Sequence, residues 1–599
     1  MTRLRPAALR PVPPPAGGPP TPPDRRPESA PDRQLEPAPG RQPEPAPDRR
    51  PEPAPGRPPD GAGEESTRLG RSLARAAAVT AGLTAAGSLF GLLRDQAIAQ
   101  LFGADAGTDA FLVAWTVPEL AATLLIEDAM ALVLVPAFSL ALSRRAAARA
   151  GGTEADGTDP VRALMAATLP RLALLLACAA GLLALSAPYV VRVLAPGLPD
   201  AGTAVDCLRL TALTVLTFGL AGYFSAALRA HRHFVAPAAI YLAYNTGIIA
   251  VMFAGHDLWG VRAAALGVAV GGVLMVLVQL PAFVTRLRAR TEGFLRARAG
   301  RAARAVREHA RTGTLVGVGV LAPVATFAVS RQAQVFFERF VASSLPAGAI
   351  SHLNYAQKVA QLPMVLSLMV CTVTFPVVAR AMADGDAAAA RRRVERDLAL
   401  AGLVVLLGAA YVVACAPQIV GLLFERGAFE APDTAATAAV MRVYSCGLLG
   451  HSMVGALVRP FFSGRRPPWY PAAAMGAGLA VTVGAGVPAA GGWGVGGIAA
   501  ANALGITTTA ALLLHGLGAR VVAIDVPQVA SGLLRLLVAA GVAAVAGWAA
   551  AGLFPVPLAG AVVGGVVVLV TFLAVGLLVG APELPHLFAT AKRRIQHAR

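Results

Sequence analysis

The sequence predicts an all-α polytopic membrane protein with about fourteen transmembrane helices, and three observations lead to this fold class. The 599-residue chain is 56% hydrophobic and only 14% charged, whereas soluble domains carry about 25% charged residues. Apolar stretches recur from residue 74 to residue 580, and a transmembrane helix needs roughly 20 such residues. Arginines gather in alternate loops between these stretches, which is typical of cytoplasmic loops.

The N-terminal segment, residues 1–70, differs from the rest of the chain. It is rich in proline and arginine, and the tetrapeptide Glu-Pro-Ala-Pro recurs along it from Glu36 onward. Such a composition cannot bury enough apolar surface to offset chain entropy, so we expect a disordered cytoplasmic tail. Two interpretations stay open: a solvated tail, and a segment that recruits a partner.

Beyond this tail, hydrophobic segments separated by short loops predict a succession of helices. The second, eighth and tenth are longer than a span requires, so we expect them to tilt or protrude. The helices are predicted at residues 74–100, 107–142, 163–194, 204–229, 234–255, 261–285, 313–342, 349–380, 396–424, 433–462, 468–488, 494–517, 529–553 and 556–580.

The distribution of arginine orients these helices. The 144–149 and 286–311 loops are rich in arginine, whereas the 102–108 and 196–203 loops contain none. The positive-inside rule then places both termini on the cytoplasmic side of the membrane. The arginines of the longest loop, interspersed with apolar side chains, predict a basic helix that lies on anionic lipid headgroups. The predicted division is an N-terminal lobe (71–285), a basic cytoplasmic amphipathic loop (286–312), a C-terminal lobe (313–517), two further helices (518–585) and a basic cytoplasmic tail (586–599).

Composition and motifs disfavour several classes of function. The formal net charge is +18, but the arginines adjoin apolar segments, so we expect no nucleic-acid partner. The five cysteines lie in or beside apolar segments without a CxxC pair, which indicates neither a disulfide framework nor a zinc site. The sequence has no P-loop, metal-ligand cluster or nucleophile motif. We therefore expect that the protein is not an enzyme and that it has no cofactor and no bound metal.

Four stretches of the chain carry a resemblance to a known family. They are Gly91-Leu-Leu-Arg-Asp with the following Leu101-Phe-Gly-Ala-Asp-Ala-Gly-Thr-Asp, then Ala227-Leu-Arg-Ala-His, Leu345-Pro-Ala-Gly-Ala-Ile-Ser, and Leu422-Leu-Phe-Glu-Arg-Gly-Ala-Phe. In order and spacing they resemble the MurJ/MviN family of lipid II flippases, over about residues 74–580. This family belongs to the multidrug/oligosaccharide-lipid/polysaccharide exporter superfamily.

The resemblance implies both a fold and a function. The fold is two lobes of six helices around a central cavity, with two extra C-terminal helices. The function is movement of the lipid-linked peptidoglycan precursor, lipid II, from the inner to the outer leaflet by alternating access. The implied substrate is a lipid-linked sugar diphosphate.

Such a substrate needs cationic partners, and a cation at membrane depth normally faces a cavity. Arg94 and Lys358 occupy positions where the family carries functional arginines, and Arg331 is a further candidate for the substrate site. Ser351 matches a cavity-facing serine of the family. Carboxylates that pair with these cations in one state and release them in another would form a charge switch. The candidates for that role are Asp95, Asp109 and Glu127.

For each of these residues the alternative is an anchor at the membrane interface. Both interpretations stay open for Glu338 and Arg339 as well, in the predicted seventh helix. Arg442 and Arg535 are interpreted as structural or snorkelling side chains.

The chain also departs from the family pattern. Ser88 and Ala122 stand where relatives usually carry cavity arginines, and Gln357 stands where they carry an aspartate. The eleventh predicted helix lacks Asn and Asp over residues 472–486, so we expect no family-like sodium site there. Three alternatives to lipid II flipping therefore stay open: a flippase for another lipid-linked saccharide, a non-transporting cell-wall scaffold, and a drug exporter.

Overall fold

The structure is a computed structural model in which the chain divides into two compact units, Met1–Thr67 and Arg68–Arg599. No β-strand occurs among the residues that it describes, which confirms the all-α prediction. The predictions for the tail up to residue 61, for most of the 286–312 loop and for the 586–599 tail lie outside those residues. The described residues are 62–123, 125–126, 130–150, 159–288, 318–384, 386–462 and 468–581.

The first helix, α1, begins earlier than the sequence indicates. It spans Ala62–Phe102, so the prediction of a disordered tail over residues 1–70 is wrong for its last nine residues. Glu64 and Glu65 lie in the first turn, where the positive end of the helix dipole favours negative charge. This local signal outweighs the proline-rich composition that precedes it.

The N-terminal lobe consists of α1 and seven further helices. Most of them pack against α6 or α8, and α7 packs along the length of α8. The seven helices are α2 (Ala106–Ala122), α3 (Met130–Ala150), α4 (Pro160–Leu194), α5 (Ala201–Thr211), α6 (Leu213–Ala230), α7 (Val235–Trp259) and α8 (Arg262–Arg288).

The C-terminal part, like the N-terminal lobe, combines long helices with pairs of shorter ones. Its last two helices, α18 and α19, pack against each other and against α12. The helices are α9 (Val318–Ala342), α10 (Ala349–Ala360), α11 (Leu362–Ala383), α12 (Ala387–Ala414), α13 (Ala416–Phe424), α14 (Ala431–Ser445), α15 (Leu448–Phe462), α16 (Tyr470–Trp493), α17 (Val495–Arg520), α18 (Val526–Ala551) and α19 (Pro557–Leu578).

Several predicted helices are divided in two. The helix predicted over 349–380 is interrupted at Gln361, and that over 396–424 is interrupted at Cys415. Pro363 follows the first break and has no N–H group with which to continue the hydrogen-bond ladder. Pro417, in the first turn of α13, marks the start of another half-helix. Predictions of uninterrupted helices are wrong at these points, although the apolar segments themselves are where the sequence indicates.

Within the described residues, nine helical stretches are long and apolar enough to cross a membrane. The first of these is Pro160–Leu194 and the last is Pro557–Leu578. Several of the divided helices fall short of the required length as separate pieces. The count of fourteen spans therefore stays a prediction.

The two lobes meet where α2 and α4 lie against α9 and α10. Among the described residues, the inter-lobe hydrogen bonds lie in the half of the bundle toward the loops that contain Gly103, Gly197, Gly348 and Gly427. We call this end of the bundle the closed end. It positions α2 and α10, which carry most of the candidate site.

Candidate functional site

Arg94 lies on α1 and is held within the N-terminal lobe. Its Nε and Nη2 donate to Asp95 Oδ1 at 3.1 and 2.7 Å, and its Nη1 donates to Asn245 Oδ1 at 2.9 Å. The guanidinium carbon lies 4.3 Å from the centre of the Trp115 ring, within the range of a cation–π contact. Arg94 is only 9% exposed, so the neighbouring carboxylate and ring offset the cost of burying its charge.

Asp109 lies in the first turn of α2 and reaches across to the other lobe. Its Oδ2 accepts from the Gly348 N–H at 2.8 Å, and its Oδ1 accepts from the Ser351 N–H at 2.7 Å and the Ser351 hydroxyl at 2.5 Å. The N–H groups at the start of a helix have no partner within that helix. The Asp109 carboxylate therefore caps α10 from the opposite lobe, and both side chains are buried.

The backbone around this cap allows the lobes to approach closely. Gly348 has a φ of 91°, which favours glycine over residues that carry a Cβ. A Cβ at this position would lie 2.5 Å from the Ala104 carbonyl oxygen. Gly103 has a φ of 65°, and a Cβ at this position would lie 2.5 Å from the Ala428 carbonyl oxygen. A substituted side chain at either position would push the closed end apart.

Further hydrogen bonds join the lobes at the closed end. They connect α1 and the loops after α1 and α4 with α10, the end of α13 and the loops after α9 and α13. The bonds are Tyr355 Oη to Gly103 O (3.1 Å), Ala428 N to Gln100 O (2.9 Å), Gln96 Nε2 to Leu423 O (3.0 Å) and Gly197 N to Ser343 Oγ (3.2 Å).

Lys358 lies deeper in the bundle, about two turns after Ser351 along α10. Its Nζ forms an ion pair with Glu119 Oε1 on α2 at 2.7 Å. The side chains of Lys358 and Glu119 are 34% and 48% exposed. The pair thus links the two lobes while remaining open to an entering molecule.

Glu119 was not singled out from the sequence, although a signal for it was present. A carboxylate inside an apolar span is costly and usually marks a functional position. Glu119 also lies one helical turn beyond Trp115, so both residues share a face of α2. Lys358, Arg339 and Arg94 all act electrostatically on the Glu119 carboxylate. Lys358 therefore contacts Glu119 directly, and one arginine from each lobe acts on the same carboxylate from farther away.

Glu338 and Arg339 are both buried in the C-terminal lobe, not at an interface. Arg339 Nη1 donates to Ile350 O at 3.2 Å and its Nη2 donates to Asn354 Oδ1 at 3.1 Å. Glu338 accepts from Gln357 Nε2 at 2.7 Å and also from the side-chain amide of Asn502. These contacts fix the part of α10 that immediately precedes Lys358.

The remaining predicted residues are less closely joined to this arrangement. Arg331 is exposed on α9 and acts electrostatically on Tyr444 and His451. No hydrogen bond among the described residues connects Arg331 to Arg94, Asp109 or Lys358. Glu127 lies outside the described residues.

The two positions where relatives usually carry cavity arginines, Ser88 and Ala122, have uncharged side chains. The Ser88 hydroxyl donates to the Thr84 carbonyl at 3.2 Å, and Ala122 ends α2. Arg94 pairs with Asp95, Asp109 joins Ser351, and Lys358 joins Glu119, so the structure places a site of paired charges between two lobes that are closed at one end. Chemically, this arrangement can bind an anion and exchange internal ion pairs for it.

The fold, with its charged site between two lobes, defines a class of membrane transporter. It is similar to an inward-facing multidrug resistance MATE family transporter of the MOP superfamily, with a TM-score of 0.54 and 14% identity over 72% of this chain and 95% of that one. It is also similar to the lipid II flippase MurJ in an inward closed conformation, with a TM-score of 0.64 and 16% identity over 82% of this chain and 97% of that one. These likenesses confirm the predicted transporter fold.

The family model described as lipid II flippase MurJ matches residues 98–579, and the chain belongs to this family. The lipid II flippase MurJ of Burkholderia cenocepacia is 29% identical over 65% of this chain and 73% of its own length. The probable lipid II flippase MurJ of Rhizobium meliloti is 28% identical over 65% of this chain and 71% of its own length. The predicted family resemblance is therefore confirmed.

Proposed function

We propose that this protein moves lipid II from the inner to the outer leaflet of a bacterial cytoplasmic membrane by alternating access. The observation that carries the proposal is the group of cations contributed by both lobes, Arg94, Arg339 and Lys358, around the inter-lobe space of a chain from this family. The diphosphate of lipid II is the part of the substrate that such a group would bind. Its sugars would occupy the water-accessible space beside it.

Lys358 is the cation best placed to bind the diphosphate directly. Arg94 is already engaged by Asp95 and Asn245, and Arg339 by a carbonyl and an amide. Lys358 is partly exposed and its ion pair can be exchanged. A lysine acts on phosphate as a point charge without the bidentate geometry of arginine, so it would bind the headgroup without fixing one orientation.

The closed end supplies the alternating part of the mechanism. The arginine-poor loops 102–108 and 196–203 lie there, so the positive-inside rule assigns this end to the periplasmic side and both termini to the cytoplasm. In this state the substrate site would be reached from the cytoplasmic side. Release to the outside would require the Asp109 cap on α10 to break and the lobes to part.

Two further interactions complete the proposal. The basic 286–312 loop would bind anionic lipid headgroups, and the Pro-rich segment would contact cell-wall synthesis proteins. The reaction is transport rather than covalent chemistry. Its energy would come from an ion gradient, the membrane potential or consumption of the product, since one charge moved through 100 mV corresponds to about 2.3 kcal/mol.

A flippase for a different lipid-linked saccharide is the second candidate. The observation that favours it is the loss of cationic side chains at Ser88 and Ala122. A headgroup with fewer charges or a different sugar would tolerate this loss. The test must therefore measure lipid II itself and not growth alone.

The experiment is depletion of a cell's own lipid II flippase, with rescue by the full chain or by its Lys358→Ala and Arg94→Ala variants. Inner-leaflet lipid II is quantified together with growth. Arg535→Ala, which removes an exposed arginine whose Nη1 bonds to Gly580 O, is the matched control. We expect rescue by the parent and the control and accumulation of lipid II with both site variants. Correct insertion of the parent without rescue would favour the other saccharide or a scaffold.

A further inference from the structure

Glu119 has no assigned role, yet it stands at the centre of the cationic site. We propose that Glu119 is an internal counter-ion that occupies the Lys358 ammonium group in the unloaded protein and is displaced by the anionic headgroup. Entry of a ligand into the site would then depend on the negative charge of its headgroup. This inference rests on the proposed function, because it concerns how that substrate engages the site.

The Glu119 carboxylate occupies the position beside Lys358 that a phosphate oxygen of the substrate would take. Its carboxylate oxygen lies 2.7 Å from Lys358 Nζ, and the charges of Arg94 and Arg339 also act on it. An anion that binds Lys358 Nζ at this distance would take the space that the carboxylate fills. Because Glu119 is 48% exposed, it can swing away without leaving a buried charge unpaired.

The other anions near the site are less easily displaced. Asp95 is buried and accepts two hydrogen bonds from Arg94, and Asp109 is buried and accepts three from the start of α10. Breaking a buried charge pair leaves an unpaired buried charge and therefore costs much more free energy than breaking an exposed ion pair. The Lys358–Glu119 pair is therefore the one that a ligand would exchange.

Displacement would also loosen the contact between the lobes. Glu119 lies ten residues after Asp109 on α2, which corresponds to about 15 Å along the helix from the cap at the closed end. The Lys358–Glu119 pair joins α2 to α10 at that depth. A headgroup that takes over Lys358 removes this link, so only the hydrogen bonds nearer the closed end still hold the lobes. When the headgroup leaves, Glu119 binds Lys358 again and the starting state returns.

The test measures binding to the purified full chain in detergent by titration calorimetry. The probes are a polyprenyl diphosphate and the uncharged polyprenol of the same chain length. We expect Glu119→Gln to bind the diphosphate about three- to fivefold more tightly, which corresponds to the upper range of an exposed ion pair, and the polyprenol unchanged. Glu119→Ala is a second variant for which we expect the same direction.

Two controls separate this effect from a general change of charge. Asp206→Asn removes a carboxylate from a similarly exposed pair with Arg262, at 2.9 Å within one lobe, and should leave both affinities unchanged. In a Lys358→Gln background the gain from Glu119→Gln should shrink, because the two residues act as a pair.

The outcomes distinguish this inference from the proposed function. Diphosphate binding that depends on Lys358 but is unchanged or weakened by Glu119→Gln would overturn the counter-ion role alone. An equal gain in Asp206→Asn would overturn it as well. A parent chain that binds the diphosphate no better than polyprenol would overturn the proposed function together with this inference.

Discussion

The Asp109 cap on α10 should control how firmly the closed end is shut, and the substitution Asp109→Asn tests this. An asparagine oxygen at the Oδ1 position can retain both hydrogen bonds from Ser351, while its NH₂ group at the Oδ2 position would face the Gly348 N–H. The lost bond is charge-assisted and contributes about 1.5 kcal/mol, and each retained bond, now to a neutral acceptor, is weaker by about 0.7 kcal/mol. The total is about 3 kcal/mol, or roughly a 150-fold shift toward the open form of this end.

The assay is double electron–electron resonance between spin labels at Pro199 and Arg426, which are exposed on opposite lobes at the closed end. A background without the exposed cysteines Cys178 and Cys446 is required. We expect the parent to show one short distance and Asp109→Asn to show a large longer-distance population.

The control for this prediction is Asp105→Asn. Asp105 caps α2 within its own lobe by accepting from the Thr108 N–H at 2.7 Å, so its loss should weaken a helix start without opening the closed end. Identical distance distributions in the parent and Asp109→Asn would refute the reasoning. A similar opening in Asp105→Asn would show that the effect is not specific to the inter-lobe cap.

Three further predictions concern the same contacts. Ser351→Ala removes only the hydroxyl bond to Asp109 and should open the closed end by about tenfold in the same distance measurement, since a hydrogen bond to a charged group contributes about 1.5 kcal/mol. An effect as large as that of Asp109→Asn would contradict this. Gly348→Ala should open the closed end further than Ser351→Ala. The new Cβ would meet the Ala104 carbonyl oxygen, and the φ of residue 348 disfavours side chains. A distance distribution equal to that of the parent would contradict the close approach of Gly348 to Ala104. Lys358→Arg should still rescue lipid II transport, whereas Lys358→Ala should not, because the positive charge is retained only in the first. The measurement is the amount of inner-leaflet lipid II. Loss of rescue in both variants would mean that the lysine itself, and not only its positive charge, is required.

The positions of the helices could largely be predicted from the sequence, because long apolar segments and arginine-rich loops report directly on the membrane. Their interruptions were harder to anticipate. The break at Gln361 depends on Pro363 and that before α13 on Pro417, and a proline within an apolar span often produces only a kink. Hydropathy alone does not show whether a proline breaks a helix or only kinks it.

The candidate site could be predicted in part. Lys358, Arg94 and Asp109 were identified through the family resemblance, and the structure gives each of them a close polar partner. The pairing of Asp109 with Ser351 joins residues 242 positions apart, a separation that no local pattern encodes. Glu119 was missed because a single carboxylate shows its importance only when its partner on another helix is known.

The role of Arg331 in the substrate site stays a prediction. It was based on the position of this residue in an apolar span. In the structure it is exposed and acts on Tyr444 and His451, whereas Arg339 acts on Glu119. Two arginines eight residues apart on one helix differ in role because their neighbours on other helices differ.

The most direct test of the central claim is the amount of lipid II exposed in the outer leaflet of cells that have lost their own flippase and express this chain. An externally added enzyme that cleaves lipid II converts only the exposed fraction, and the cleaved product is quantified. We predict that cleavage returns with the parent chain and stays at the depleted level with Lys358→Ala. Absence of cleavage with a correctly inserted parent, or full cleavage with Lys358→Ala, would contradict lipid II transport through this cationic site.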